Sequence, residues 1–228
     1  MLNRLVGMLS GNNKEAAAAP PRAAPAAAEP AAKPAAKSAS VMRREAMLGR
    51  DQKVAAYTFM LRRALDDQGD SNLPDVQRLY DETLLGNLER MDIARLLGQR
   101  LAFVPIAPAS LDLPLIDGWP AAGTVLLLNV VAQAPVDEPL LVRLGELKSR
   151  GFSFAVHADE VARPEWHALL QHADYVLVDV NSEDIPAITA QIAAVSKVAT
   201  GKRFVATGVQ TLEAFHMCHK LQFALFMG

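Results

Sequence analysis

The chain has 228 residues, a formal net charge of -2 and 51% hydrophobic residues. That is enough apolar material for one sizeable domain plus a tail, and the near-neutral balance leaves no electrostatic case for nucleic-acid binding. The single cysteine, Cys218, has no partner for an internal disulfide and suits a reducing cytoplasm. No apolar run approaches the roughly 20 residues of a membrane-spanning helix.

In chain order, residues 1–14 come first as a short amphipathic peptide. Leu2, Leu5, Val6 and Leu9 share one helical face. Met1–Leu9 therefore reads as a docking element for a membrane surface or a partner groove. The competing reading is a frayed start, because so short a helix does not hold alone. No apolar core and cleavage site of a signal peptide follow. Of the 26 residues from Glu15 to Ser40, 14 are Ala and 5 are Pro. The prolines interrupt any helix within about a turn, and nothing large is present to bury. Residues 15–40 are expected to be a disordered, partly extended linker.

From residue 41 the chain turns globular. A first strand is expected near Arg43–Leu48, then a turn at Gly49-Arg50-Asp51 and an apolar strand, Val54–Leu61. Further strand-like runs are Leu101–Ile106, Thr124–Val130, Phe152–His157, Tyr175–Val180, Arg203–Thr207 and Phe223–Phe226. Helical patterns separate them at Pro74–Leu97, Pro135–Lys148, Pro164–His172, Ile185–Ala199 and Thr211–Leu221, several with Pro or Thr near the start. Strands apolar on both faces, alternating with helices, indicate a parallel α/β sheet. Eight of them suit a closed barrel. The alternative is an open doubly wound sheet, but no Gly-rich phosphate loop follows any strand, and no cofactor is implied.

Several clusters invite chemistry and are weighed against plainer roles. His216 and His219 share a helix face beside Cys218, yet no second Cys/His pair lies nearby in sequence, so a packed helix is the better reading than zinc. His157 and Asp159 suggest acid-base work but lack an evident nucleophile. Asp66, Asp67, Asp70 and Asp75 form an acidic stretch without the calcium-loop pattern. Trp119 and Trp166 read as packing residues.

Six landmarks then fall in series. They are Arg44-Glu45-Ala46-Met47, Tyr57-Thr58-Phe59-Met60-Leu61-Arg62, Leu147-Lys148-Ser149-Arg150-Gly151-Phe152, Ala173-Asp174-Tyr175-Val176-Leu177-Val178-Asp179, Ala206-Thr207-Gly208-Val209-Gln210-Thr211 and Phe226-Met227-Gly228. In this order they resemble the EAL domain, the cyclic di-GMP phosphodiesterase barrel, and more closely the variant joined to an HDOD domain in bacterial signalling proteins. The resemblance covers about Met42 to Gly228. It implies an EAL-like (β/α)8 barrel of TIM type over residues 41–228, with its first strand antiparallel. It also implies a final helix that the sequence, ending at Gly228, does not reach. Either the chain is cut there or a partner closes the barrel, and an exposed apolar groove near Phe223–Phe226 is expected in the second case.

Active members of that family hold divalent metals at the barrel mouth, and such ions need hard oxygen ligands. At the positions the resemblance assigns to ligands and catalysis, this chain has Thr58, Pro105, Asn129, His157, Ala158, Leu177, Thr207 and Met227. The expectation is therefore a chain with no catalytic residues and no metal, that is, a non-enzymatic signalling or scaffold protein that works through an unidentified protein partner. Two matching positions persist: Arg62, where the family touches a phosphate of the dinucleotide, and Asp179. They imply a second possibility, a non-hydrolysing cyclic di-GMP receptor. A surviving phosphodiesterase is the third. The location implied is cytoplasmic, at the inner membrane surface if Met1–Leu9 docks there.

Overall fold

In the computed structural model, residues 41–62, 74–129, 136–159, 163–182 and 184–228 are described. They belong to one unit, Ser38–Gly228. The amphipathic peptide, the linker and Asp66, Asp67 and Asp70 lie outside the described residues, as does Val130.

Eight strands close in sequence order: β1 Val41–Gly49, β2 Val54–Arg62, β3 Leu101–Ile106, β4 Thr124–Leu128, β5 Ser153–His157, β6 Tyr175–Asp179, β7 Arg203–Thr207 and β8 Leu225–Met227. β1 runs antiparallel to both β2 and β8, and every other neighbouring pair is parallel. The barrel and its antiparallel first strand are as the sequence implies, and the open sheet is excluded. The period of two along each strand sorts side chains into two layers. Met47, Ala56, Phe103, Val125, Leu127, Ala155, Tyr175, Leu177, Val205 and Leu225 fill the barrel. Alternate residues such as Phe59, Val104, Leu126 and Val176 pack outward against the helices. This is why β4 is buried at every position.

The helices are α1 Pro74–Arg90, α2 Ile93–Leu97, α3 Pro114–Gly118, α4 Glu138–Ser149, α5 His167–His172, α6 Ile185–Val198 and α7 Leu212–Lys220. Asp137, Asp184 and Thr211 cap α4, α6 and α7 by accepting from Leu140, Ala187 and Ala214 N–H groups, the N-cap role suited to short polar side chains.

Several expectations need correction, and two short elements go beyond them. The single helix over Pro74–Leu97 is two, because Asp92 adopts φ 49 and breaks the ladder; Asp is one of the few non-glycine residues that tolerates that region. The segment Pro108–Ser110 is a 3-10 turn and Pro114–Gly118 a helix, each with proline in its first turn. β5 starts at Ser153, not Phe152, and β8 at Leu225, not Phe223. The cause is common to both. Phe152 N–H donates to Leu147 O and Phe223 N–H to Cys218 O, each five residues back across a residue of positive φ, Gly151 (103) and Gln222 (66). The preceding helix captures the first apolar residue of each run in a Schellman-type close.

The chain's own β8 meets β1 at Leu48–Phe226 and Gly49–Leu225. Arg50 ties the join by donating from Nη1 to the carbonyls of His219 and Phe223. Phe223 and Phe226 are buried. An open groove of about 520 Å³ runs along the outer face here, lined by Ala46, Leu48, Leu212, Phe215 and Phe226 among others.

Candidate functional site at the barrel mouth

The C-terminal ends of β2–β8 define the mouth. Thr58, Pro105, His157, Leu177, Asp179, Thr207 and Met227 all fall on the same alternation as the residues filling the barrel. Asn129, one residue past β4, continues it and is tied by its N–H to Ile106 O at 2.9 Å. The sequence-selected positions thus share one inward face around the ring. Ala158 does not join them. It lies in the outer layer, 4% exposed, with its N–H donating to Leu177 O.

Each wall of the mouth has its own chemistry. Thr58 is 3% exposed and faces Glu45 in register. Leu177 is buried within the barrel, and Met227 packs against the same cluster. Pro105 sits where β3 has already lost its pairing to β2, which ends at Thr58–Phe103, so no β2 bond is forfeited by its missing N–H. Thr207 Oγ1 donates to Val178 O. Asp179 is exposed, and its Oδ1 accepts from Asn181 N–H at 2.9 Å, a local strand-end turn. Beside it the next loop is drawn close: Gln210 Nε2 donates to Asn181 Oδ1, which lies against Gly208. His157 ends β5 half-buried. Burial pushes its pKa down, opposed by the nearby charges of Asp159 and Asp179.

On the opposite wall lie two residues that motif reading passed over as ligand groups. Arg43 and Glu45 occupy the inward alternation of β1, four and two residues before Met47. Arg43 Nη2 and Glu45 Oε1 form an ion pair at 2.6 Å. Arg44, on the outer face, stacks over the Tyr57 ring at 4.4 Å. Arg62 is opposite Val41 at the end of β2. The signal that finds the pair is the alternation counted back from Met47.

Among the described residues, no three His, Cys, Asp or Glu side chains are grouped to hold a metal ion. In the His216–His219 helix Cys218 is buried, and His219 Nδ1 lies 3.4 Å from Arg50 Nη2. Trp119 and Trp166 are core residues, as expected. No described helix is long and apolar enough to cross a membrane.

No family model and no curated protein matches the chain. Solved structures do. BlrP1 of Klebsiella pneumoniae, a complex with manganese and cyclic di-GMP, superposes with TM-score 0.65 at 18% identity over 84% of this chain and 55% of that one. The YkuI protein of Bacillus subtilis, with an EAL domain, bound to cyclic di-GMP and calcium, gives 0.61 at 18% over 80% and 51%. An EAL domain protein of Listeria monocytogenes gives 0.60 at 14% over 83% and 85%. This chain therefore spans little more than half the length of the first two. Strand order, the antiparallel first strand and these superpositions together establish that the described residues build an EAL-type barrel.

Proposed function

We propose that this EAL-type barrel is a non-hydrolysing signalling protein that acts through protein contacts. The observation carrying the reading is the set of side chains at the strand ends. Thr58, Pro105, Asn129, Leu177, Thr207 and Met227 bring no carboxylate to the inward ring. Divalent ions such as the manganese and calcium of the neighbours' complexes would have to shed water mostly for neutral or apolar side chains, with Asp179 the single carboxylate among the described ends of β2–β8, so the residues present do not fit such a centre. A contact surface is at hand in the groove beside α7, where Leu212 is 63% exposed. Met1–Leu9, on its linker, would add a second point of attachment to a partner or to the inner membrane surface from the cytoplasm. Hydrolysis of cyclic di-GMP with Mg²⁺ or Mn²⁺ tests the reading. No turnover above the protein-free blank is expected, and metal-dependent turnover by the purified chain refutes it. A partner captured by the full chain and lost on removing residues 1–40 would assign the tail its part.

The second reading is a cyclic di-GMP receptor. Two of the neighbours above are complexes with that dinucleotide, and Arg62 holds the matching strand-end position. Calorimetry with the dinucleotide decides it: heat that disappears in Arg62→Ala supports it, and no heat at tens of micromolar protein removes it.

A further inference from the structure

We propose that the outward face of α1 is a self-association surface, on which a second copy of this chain docks its own α1, antiparallel and two-fold related, about Gly86. The proposal is independent of what the barrel mouth does and uses a different surface from the groove beside α7.

Leu84, Leu85 and Leu88 turn one side of α1 into the core. On the other side, Leu79, Thr83, Gly86 and Arg90 recur at helical spacing and share a face. With Leu115 of α3 they line an open groove of about 420 Å³. Leu79 is 64% exposed, and Leu115 is half-buried against the core beneath.

Gly86 is the unusual member of this face. A glycine inside a helix destabilises it relative to alanine, so its presence calls for some use of the missing side chain. The chain's own packing supplies none: a Cβ at Gly86 would meet no described atom within 4 Å. What a glycine offers on an open helix surface is a notch into which another backbone can come close.

The charges say which backbone. Glu82 and Arg90 stand four residues before and four after Gly86. Among the described residues, neither they nor Glu89 enter an ion pair. In an isologous contact, residue i of one copy meets j of the other and j meets i. With the two α1 helices antiparallel about Gly86, each residue lies opposite the one equally far beyond the glycine. Glu82 then meets Arg90 of the second copy, and the same pair forms again by symmetry. Glu89 falls opposite Thr83, so no two carboxylates face each other. Residues 82, 86 and 90 form one i±4 ridge, and such ridges align when two helices cross at about −50°. A parallel pairing would set Glu82 against Glu82 and Arg90 against Arg90, and is repelled. The charge pattern of this face is complementary to itself, which commits the occupant to a second copy.

A single helix pair flanked by Leu79 and Leu115 is a small interface, and exposed ion pairs contribute modestly. A dimer dissociation constant of about 10–100 μM is expected. The plain alternative is that α1 is an ordinary solvated helix. Gly86→Gln separates the two accounts. Glutamine is a better helix former than glycine and has room on the single chain, so in dilute solution both accounts expect a Tm higher by about 1–4 °C. Only the interface expects association to be lost, because two added side chains wedge the helices apart.

Sedimentation velocity of the full chain across that concentration range makes the test, with circular dichroism confirming that each variant is folded. The wild type is expected to dimerise, and less so at high salt. Gly86→Gln is expected to weaken dimerisation on the order of ten-fold or more. Glu82→Arg and Arg90→Glu each turn two attractions into two repulsions, and each is expected to weaken it roughly ten-fold. Glu82→Arg/Arg90→Glu restores both pairs and is expected to recover most of the affinity. A wild-type chain that stays monomeric at several hundred micromolar overturns the proposal. So does a dimer indifferent to all three single variants, whose contact must lie elsewhere on the molecule. Charge reversals that weaken dimerisation without recovery in the double variant overturn the antiparallel pairing on which the proposal stands.

Discussion

Replacing Asp81 by alanine takes away the acceptor that fastens α1 to the loop leaving β3. The Asp81 side chain is 1% exposed. Its Oδ2 accepts from Ala107 N–H at 2.9 Å and its Oδ1 from Gln77 Nε2 at 2.8 Å. Burial raises its pKa above the usual carboxylate value, while the bonds from Ala107 and Gln77 and the nearby Ser110 hydroxyl oppose the rise. The Ser110 hydroxyl is itself fully buried and, among the described residues, has no partner in good hydrogen-bond geometry, so its pull on Asp81 is chiefly that of a nearby dipole. In Asp81→Ala the Ala107 N–H is left buried and unsatisfied at a cost of about 1–3 kcal/mol, to which a small cavity adds. For a domain of this size, each kcal/mol lowers Tm by roughly 2–4 °C, so a fall of about 5–10 °C is expected by calorimetry. Asp81→Asn keeps the shape and one acceptor and removes a buried charge; its stability should lie within about 1 kcal/mol of wild type at neutral pH. The sign with pH follows from the raised pKa. The folded state holds the Asp81 proton more tightly than the unfolded state does. Its charge therefore costs nothing in acid, and the cost grows as pH rises from about 3.8 through the folded value. Any advantage of Asp81→Asn should accordingly be seen at neutral pH and fade in acid. If Asp81→Ala melts with wild type, this side chain is not the fastening; if Asp81→Asn falls as far as Asp81→Ala, one retained acceptor is not enough and the full carboxylate is required.

Two other perturbations follow from the same geometry. His157 and His172 both have pKa values lowered by burial, with Lys148 and Lys202 adding to the effect at His172; the unfolded chain binds those protons first, so stability is full above about 6.5 and is lost as pH falls below it. The fall in Tm on acidification below that point should flatten in His157→Phe/His172→Gln, and an unchanged slope would remove these histidines as its cause. Gly208 has φ 78, and a Cβ there would land on Asn181 Oδ1, so Gly208→Ala should cost about 2 kcal/mol or more in urea unfolding. Adding Asn181→Ala should recover the clash but not the backbone strain. Full recovery would mean that φ is not strained.

The barrel itself is legible in the sequence because a strand buried on both faces needs no alternation to announce it. Val125–Leu128 and Val176–Val178 are simply apolar, and their spacing with helical patterns does the rest. Boundaries are less legible, since Phe152 and Phe223 are good strand formers whose N–H groups are taken by the preceding helix. α3 is hidden because its five residues carry too little periodicity, and only Pro114 marks it. At the mouth, the inward placement of Thr58, Asn129, His157 and Thr207 follows from strand alternation once each strand is found. Ala158 enters through the double motif that the resemblance assigns to His157-Ala158, and consecutive residues at a strand end face opposite sides, so the two do not share the inward face. Arg43 and Glu45 escape because motif reading attends to strand ends that run toward the mouth, while β1 runs away from it.

Closure of the ring has a kinetic side. Met47 and Ala56 meet across a tight turn, about 9 residues apart, whereas Leu48 and Phe226 meet across about 180. On chain entropy alone the second encounter costs roughly 2.6 kcal/mol more than the first, and its reward is only two residue pairs plus the Arg50 bonds. The hairpin can therefore form early, while the seam between first and last strands forms late and opens early. Amide exchange should find its fastest strand protons along that seam, beside the outer groove, so that the surface offered to a partner is also the place where the barrel is easiest to unlatch.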